Sequence, residues 1–251
     1  MSGMLETLAE IAGLAADEIL RVRRAGFAVE YKADASPVTL ADRAAHACIA
    51  RELAARFPDI PQLSEEGRDI PFAERRAWPR FFLVDPLDGT KEFVKDLGEF
   101  CVWIALVEGR YPAAGVVCLP ARGLTYLGGL GLGAFRRAGE GPLAPIRSRP
   151  ADPKLGFRVA ESRSHPDERL DAYLSTLRVR ERIVAGSALK FCLLAEGSAD
   201  LYARCNPTHE WDTAAGQAVL EWAGGSVTDW QGQRLACNTE TLLNPGFLAR
   251  G

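Results

Sequence analysis

Histidine is scarce in this 251-residue chain, with three in all, and none of its six cysteines stands in a CxxC pair. Zinc-type ligand spacing is therefore absent. The cysteines read as small buried hydrophobes in a reducing compartment. Long apolar runs are missing as well. The longest, residues 101–107, falls far short of the roughly 18 residues a membrane span needs. The first 20 residues carry Glu6, Glu10, Asp17 and Glu18 with no basic start, so a signal peptide is not expected, and Ser2 excludes myristoylation. Blocks of like charge are also lacking: 30 basic residues face 33 acidic ones, for a net charge of -3. That balance excludes a nucleic-acid or membrane surface built on bulk electrostatics. The expected compartment is the cytoplasm, with peripheral contact at the inner membrane left open.

What is present is ordinary globular composition, 47% apolar and 25% charged, enough for one large domain or two small ones. Apolar residues recur at helical spacing over 4–25, and Gly26 ends that helix. Residues 29–34 read as extended, Ser36-Pro37 as a break, and Thr39 as the N-cap of a helix over 40–57 stopped by Pro58. Strand-like pieces follow at 60–63, 81–84, 101–107, 113–119 and 124–127, with a turn at Gly109-Arg110. They suggest an antiparallel sheet flanked by the two helices. Residues 138–153, rich in Gly and Pro, read as a linker. Beyond it, strands (157–160, 179–184, 200–203, 226–228) alternate with helices (166–177, 187–196, 211–223), which favours an α/β unit. The expected division is 1–145, with helices and antiparallel sheet, and 146–251, an α/β part.

Chemistry is concentrated in residues 81–93, FFLVDPLDGTKEF. An apolar strand delivers Asp85, Pro86 fixes the next torsion, and Asp88 returns three residues later beside Gly89. Two carboxylates on one turn can share a hard divalent cation, and the Leu87 carbonyl can add an oxygen. Thr90 opens a short helical segment, where the Gly89 and Thr90 amides would favour a phosphate. A surface turn with capping acids is the alternative. The stretch is neither a Walker loop nor a D-x-D motif. Glu65-Glu66 after the piece at 60–63, Asp42 in the first turn of the second helix, and Asp212 at the start of the helix at 211 are further acidic positions. Each alone reads as a cap or a dipole partner. No cysteine lies in a C-x5-R loop, and the histidines have no evident serine or cysteine partner, so an acid-rich set points to metal catalysis rather than a covalent route.

Together, Glu65-Glu66, Asp85-Pro-Leu-Asp-Gly-Thr90 and Trp211-Asp-Thr-Ala214 resemble the inositol monophosphatase superfamily of Mg2+-dependent, lithium-sensitive phosphatases. The flanking stretches 33–42, 63–66, 85–93, 186–197, 211–218 and 243–247 are similar to its CysQ-type 3'(2'),5'-bisphosphate nucleotidases; 128–152 matches least. The resemblance implies a layered α-β-α-β-α sandwich of α/β class. It implies two or three Mg2+ ions: Glu65, Asp85 and the Leu87 carbonyl for the first, Asp85, Asp88 and Asp212 for the second, and a looser third near Glu65. Catalytic roles fall to Asp42, Thr90 and Glu65, with Thr90 hydrogen-bonded to Asp42 and orienting the attacking water. Substrate contacts fall to Leu87, Asp88, Gly89, Thr90 and Asp212. Ser187, Lys190, Arg204 and His165 would meet the nucleotide, although Ser187 also reads as a helix N-cap, Lys190 as a solvated lysine and His165 as a loop histidine.

The implied activity removes the 3'-phosphate of adenosine 3',5'-bisphosphate (PAP), and of its sulfated form (PAPS), by metal-activated water. Phosphate monoesters hydrolyse so slowly that accelerations reach about 10²¹-fold. A general base supplies only about 10²–10⁴ of that, so paired metals suit the task better. An inositol-phosphate phosphatase and a silent nucleotide-binding regulator remain alternatives, as does a homodimer. Converging carboxylates without metal should titrate above their ordinary range.

Overall fold

The computed structural model describes residues 2–31, 37–152, 154–162, 167–186 and 189–251. Helix α1 (Ser2–Ala25) ends at Gly26, whose φ of 80° is the left-handed stop the sequence suggests. Strands β1 (Val29–Tyr31) and β2 (Pro37–Thr39) pair antiparallel, so Pro37 opens a strand. Helix α2 (Leu40–Arg56) follows directly.

β3 (Gln62–Ser64), the short helix α3 (Phe72–Arg75), β4 (Arg80–Asp88) and the short helix α4 (Thr90–Val94) come next. After them run β5 (Cys101–Glu108), β6 (Tyr111–Leu119), β7 (Leu124–Gly129), β8 (Ala134–Ala138) and β9 (Ala144–Ile146). β3 to β9 form a seven-stranded sheet in sequence order, antiparallel except for the parallel β3–β4 pair. Part of the Gly/Pro-rich stretch expected as a linker is thus strand β9, bonded to β8.

A second sheet combines β10 (Phe157–Ser162), β11 (Val179–Ala185), β12 (Leu201–Arg204), β14 (Ser226–Thr228) and β16 (Phe247–Arg250), in the order β11-β10-β12-β16-β14. The expected α/β alternation holds for the parallel β11-β10-β12 portion; β16 pairs antiparallel with both β12 and β14. Between these strands lie α5 (Glu168–Ser175), α6 (Leu189–Ala195), the two-residue strands β13 (Thr208–His209) and β15 (Leu243–Asn244), and α7 (Ala214–Trp222). A 3-10 turn, Glu210–Asp212, precedes α7, so Asp212 lies before the α-helix rather than within it.

Burial places the layers. One apolar cluster joins α1 and α2 to one face of the first sheet through Leu8, Ile11, Ile49, Phe82 and Val84. Another joins the opposite face (Phe81, Leu83, Trp103) to α6, α7 and the second sheet through Phe191, Val219 and Phe247. A third sets α5 against the far side of the second sheet through Val159, Leu174 and Leu201. The result is the expected α-β-α-β-α sandwich. At about 1.5–3 kcal/mol per fully buried large apolar side chain, these clusters drive the stacking. Small residues let the middle layer close: a Cβ on Gly115 of β6 would sit 2.3 Å from the Ala215 carbonyl of α7. Among the described residues no helix is long and apolar enough to cross a membrane. All six cysteines are free thiols; Cys205 is half-buried and the other five are buried.

Candidate active site

The D-P-L-D segment is an irregularity inside a strand. In the β4–β5 register Asp85 faces Trp103 and Asp88 faces Cys101, so three steps on β4 match two on β5. This bulge accommodates Pro86, which cannot donate a ladder bond. It also restores the alternation, so that Asp85 and Asp88, three apart, point to one face. Trp103 Nε1 donates to Asp88 Oδ2 at 3.1 Å, and the Leu87 N–H donates to Asp85 Oδ1 at 3.0 Å. Gly89, at φ 85°, then turns the chain into α4, a conformation side-chain-bearing residues rarely adopt.

Asp42 arrives from α2. Thr39 is the N-cap and Asp42 the third helical residue of a capping box. The Thr39 N–H and Oγ1 each donate to Asp42 Oδ2 at 2.7 Å. The other oxygen, Oδ1, accepts from Thr90 Oγ1 at 3.1 Å, which also lies 3.2 Å from the Leu87 carbonyl. The helix start and the β4 bulge are joined through that hydroxyl. Glu65 follows β3, its N–H bonded to the Val84 carbonyl at 3.1 Å, which places it beside the same strand end. Asp212 closes the 3-10 turn, and its Oδ2 accepts from the His209 N–H at 2.8 Å.

These elements surround a cleft of about 230 Å³ lined by Glu65, Asp88, Gly89, Thr90 and Asp212 together with Lys190, Tyr202 and Arg204. Asp85 lies buried behind it. Lys190 is buried, not solvated: Nζ approaches the Ala185 carbonyl at 3.3 Å and lies 5.1 Å from the Tyr202 ring centre. Ser187 and His165 lie outside the described residues.

The electrostatics follow from this crowding. Burial, then Glu65, Asp88 and Asp212, push the Asp85 carboxyl well above the ordinary carboxylate range. Asp212 is raised to about 8, chiefly by burial and then by Asp88; Arg204 offsets part of this. Burial raises Asp42 to about 6 against its hydrogen bonds to Thr39 and Thr90. The elevated carboxyls match the sequence-based expectation. Among the described residues, no three His, Cys, Asp or Glu side chains already stand in closed metal-holding geometry. The carboxylates share one electrostatic neighbourhood instead. The donor set still fits a hard divalent ion: it is all oxygen, and Asp85 is buried facing three other acids. A buried carboxylate so placed is costly unless a cation or a proton neutralises it.

Trp103 is the site residue the sequence reading missed. It sits in what reads as a purely apolar strand, and its indole N–H reaches the same Asp88 oxygen that Cys101 Sγ, at the start of that strand, approaches at 3.9 Å. The strand pairing carries the signal, since Trp103 is opposite Asp85.

The whole chain has relatives. The family model described as the inositol monophosphatase family matches residues 1–250. The chain is 47% identical over 248 residues to the 3'(2'),5'-bisphosphate nucleotidase CysQ of Salmonella typhimurium, covering 97% of this chain and 98% of that one. The protein of the same name from Escherichia coli is 46% identical over the same coverage. Among solved structures, CysQ from Bacteroides thetaiotaomicron, a bacterial member of the inositol monophosphatase family, is similar at a TM-score of 0.87 and 37% identity, covering 99% of this chain and 97% of that one. The bulged acidic strand, the fold around it and these end-to-end similarities agree: this chain belongs to the inositol monophosphatase family.

Proposed function

We propose that this protein is a Mg2+-dependent 3'(2'),5'-bisphosphate nucleotidase that converts adenosine 3',5'-bisphosphate to AMP and phosphate, and acts also on the sulfated nucleotide. The observation that carries the reading is the cleft itself, where Glu65, Asp88 and Asp212 share one lining with Lys190 and Arg204. The acids are suited to cations, and Lys190 and Arg204 to a second, non-reacting phosphate. The relatives named as nucleotidases support the same substrate class.

Glu65, Asp85 and the Leu87 carbonyl would hold one ion, and Asp85, Asp88 and Asp212 a second. Bound Mg2+ would supply Lewis acidity toward water and neutralise charge on the departing oxygen. The chain's own groups do the rest. The Gly89 and Thr90 amides hold the phosphoryl oxygens. Thr90 donates its proton to Asp42, which leaves its oxygen free to accept from the attacking water, and Glu65 helps orient that water. A phosphorus–oxygen bond to water forms as the bond to the ribose oxygen breaks. The water's proton passes toward Thr90 and Asp42, and the ribose oxygen takes a proton from solvent. Lys190 and Arg204 bind the 5'-phosphate, so a substrate without it loses that contact.

The test is phosphate release from adenosine 3',5'-bisphosphate and from inositol 1-phosphate, each with and without Mg2+, by the wild type and by Asp88→Asn. The expected result is Mg2+-dependent release favouring the nucleotide and abolished in the variant. Preference for inositol 1-phosphate rejects the substrate assignment, and full activity in Asp88→Asn removes that residue from the mechanism.

A further inference from the structure

Among the buried ionisable groups that the mechanism above does not use are Arg75, 2% exposed, and Glu210, fully buried. Both grip one segment, residues 238–240. Glu210 accepts from the Asn238 N–H at 2.6 Å, the Thr239 N–H at 2.8 Å and Thr239 Oγ1 at 2.5 Å. Arg75 donates to Asn238 Oδ1 at 2.9 Å and to the carbonyls of Thr239 and Glu240 at 2.7 Å each. Asn238 Nδ2 donates back to the Arg75 carbonyl at 2.8 Å. A buried charge network of this kind gains little stability over well-packed apolar side chains; its better-attested use is to select one arrangement.

The position of the network shows which arrangement is selected. Glu210 opens the 3-10 turn that Asp212 closes. Arg75 ends α3 and also binds the Ile70 carbonyl, on the chain leading out of the Glu65-Glu66 turn. The latch therefore ties the segment that follows Glu65 to the 3-10 turn that carries Asp212. Asn244 braces the same turn from its other side, with Nδ2 donating to the His209 carbonyl and to Thr213 Oγ1, both at 3.0 Å.

We infer that Glu210, latched through Asn238 and Thr239 to Arg75, is a positioning residue that sets Asp212 against Glu65 and so tunes divalent-cation affinity. This rests on the metal reading proposed above. Groups that orient metal-binding carboxylates typically change affinity by about 10–100-fold when removed.

The test uses the full chain without substrate. Thermal unfolding is followed across a Mg2+ titration, and the concentration giving half the maximal rise in Tm is read for each variant. Glu210→Gln keeps the shape but turns an amide donor toward one of the two backbone N–H groups that the carboxylate accepts from. The half-point should rise about 10–100-fold. Thr239→Val keeps the carboxylate and both amide bonds, and should raise it only a few-fold. Leu174→Ala, in the α5 cluster far from the latch, should lower Tm while leaving the half-point unchanged. A Glu210→Gln protein with lower Tm but the wild-type half-point overturns the inference, making Glu210 merely structural. If Glu210→Gln does not fold, an unchanged half-point in Thr239→Val overturns it instead. Absence of any Mg2+ shift in the wild type is a separate result: it removes the metal reading and the inference with it.

Discussion

A carboxylate in the first turn of a helix is ordinarily held below its free value, because the backbone N–H groups and the helix dipole favour the anion. Asp42 has those advantages, with two hydrogen bonds from Thr39 and one from Thr90, and still rises to about 6. Burial outweighs them, since the group is 3% exposed. The sign of the consequence is clear. The folded value lies above the unfolded value of 3.8, so this group's contribution to stability is present below about pH 4 and is lost as pH rises through about 6. In the mechanism proposed above, its capacity to accept a proton through Thr90 moves the opposite way and is gained above about pH 6. The kcat profile should therefore show a rising limb near that pH. Asp42→Asn should remove the limb and lower kcat by about 10²–10⁴; a steady-state pH profile checks both. An unchanged limb in Asp42→Asn would assign it to another group.

At the level of elements, the fold was legible where periodicity was strong. The helix expected at 4–25 is α1, and the one expected at 40–57 is α2 with its Thr39 cap. The cap has a measurable worth. Thr39→Ala removes one of the two Thr39 bonds to Asp42 and the bond to the Ala41 N–H. It should cost about 1 kcal/mol in a denaturant titration. It should also move the kcat limb upward, because the anion loses a donor. What stayed hidden has physical causes. The β4 bulge depends on pairing with β5, a long-range fact absent from local pattern, so the strand was expected to stop near Asp85 rather than run to Asp88. Residues 144–146 carry two weak strand formers, Ala and Pro, and become β9 only because β8 offers an edge. Asp212 ends a 3-10 turn where the apolar pattern suggested a continuous helix, because Thr213 breaks helical geometry before α7 begins.

For the whole molecule, the acids of the site come from residues 42, 65, 85, 88 and 212, and the fold must be complete before they meet. The central apolar cluster runs from Leu63 and Phe81 to Phe247 and Ala249, so the two sheets share one core and close the cleft between them. Motif content alone marked those acids as a set; only the layered packing gives them one neighbourhood. Lys190 illustrates the difference, since a helix lysine is usually solvated and this one is buried beneath the cleft by α6 packing on β12. The central claim is that this neighbourhood is a divalent-cation site. Crystals grown with Mn2+, which shares the preference of Mg2+ for oxygen ligands, test it by anomalous diffraction. The expected result is anomalous density bounded by Glu65, Asp85, Asp88 and Asp212, with Asp85 touching two peaks. Density elsewhere, with those four carboxylates apart and bound to nothing, would contradict it.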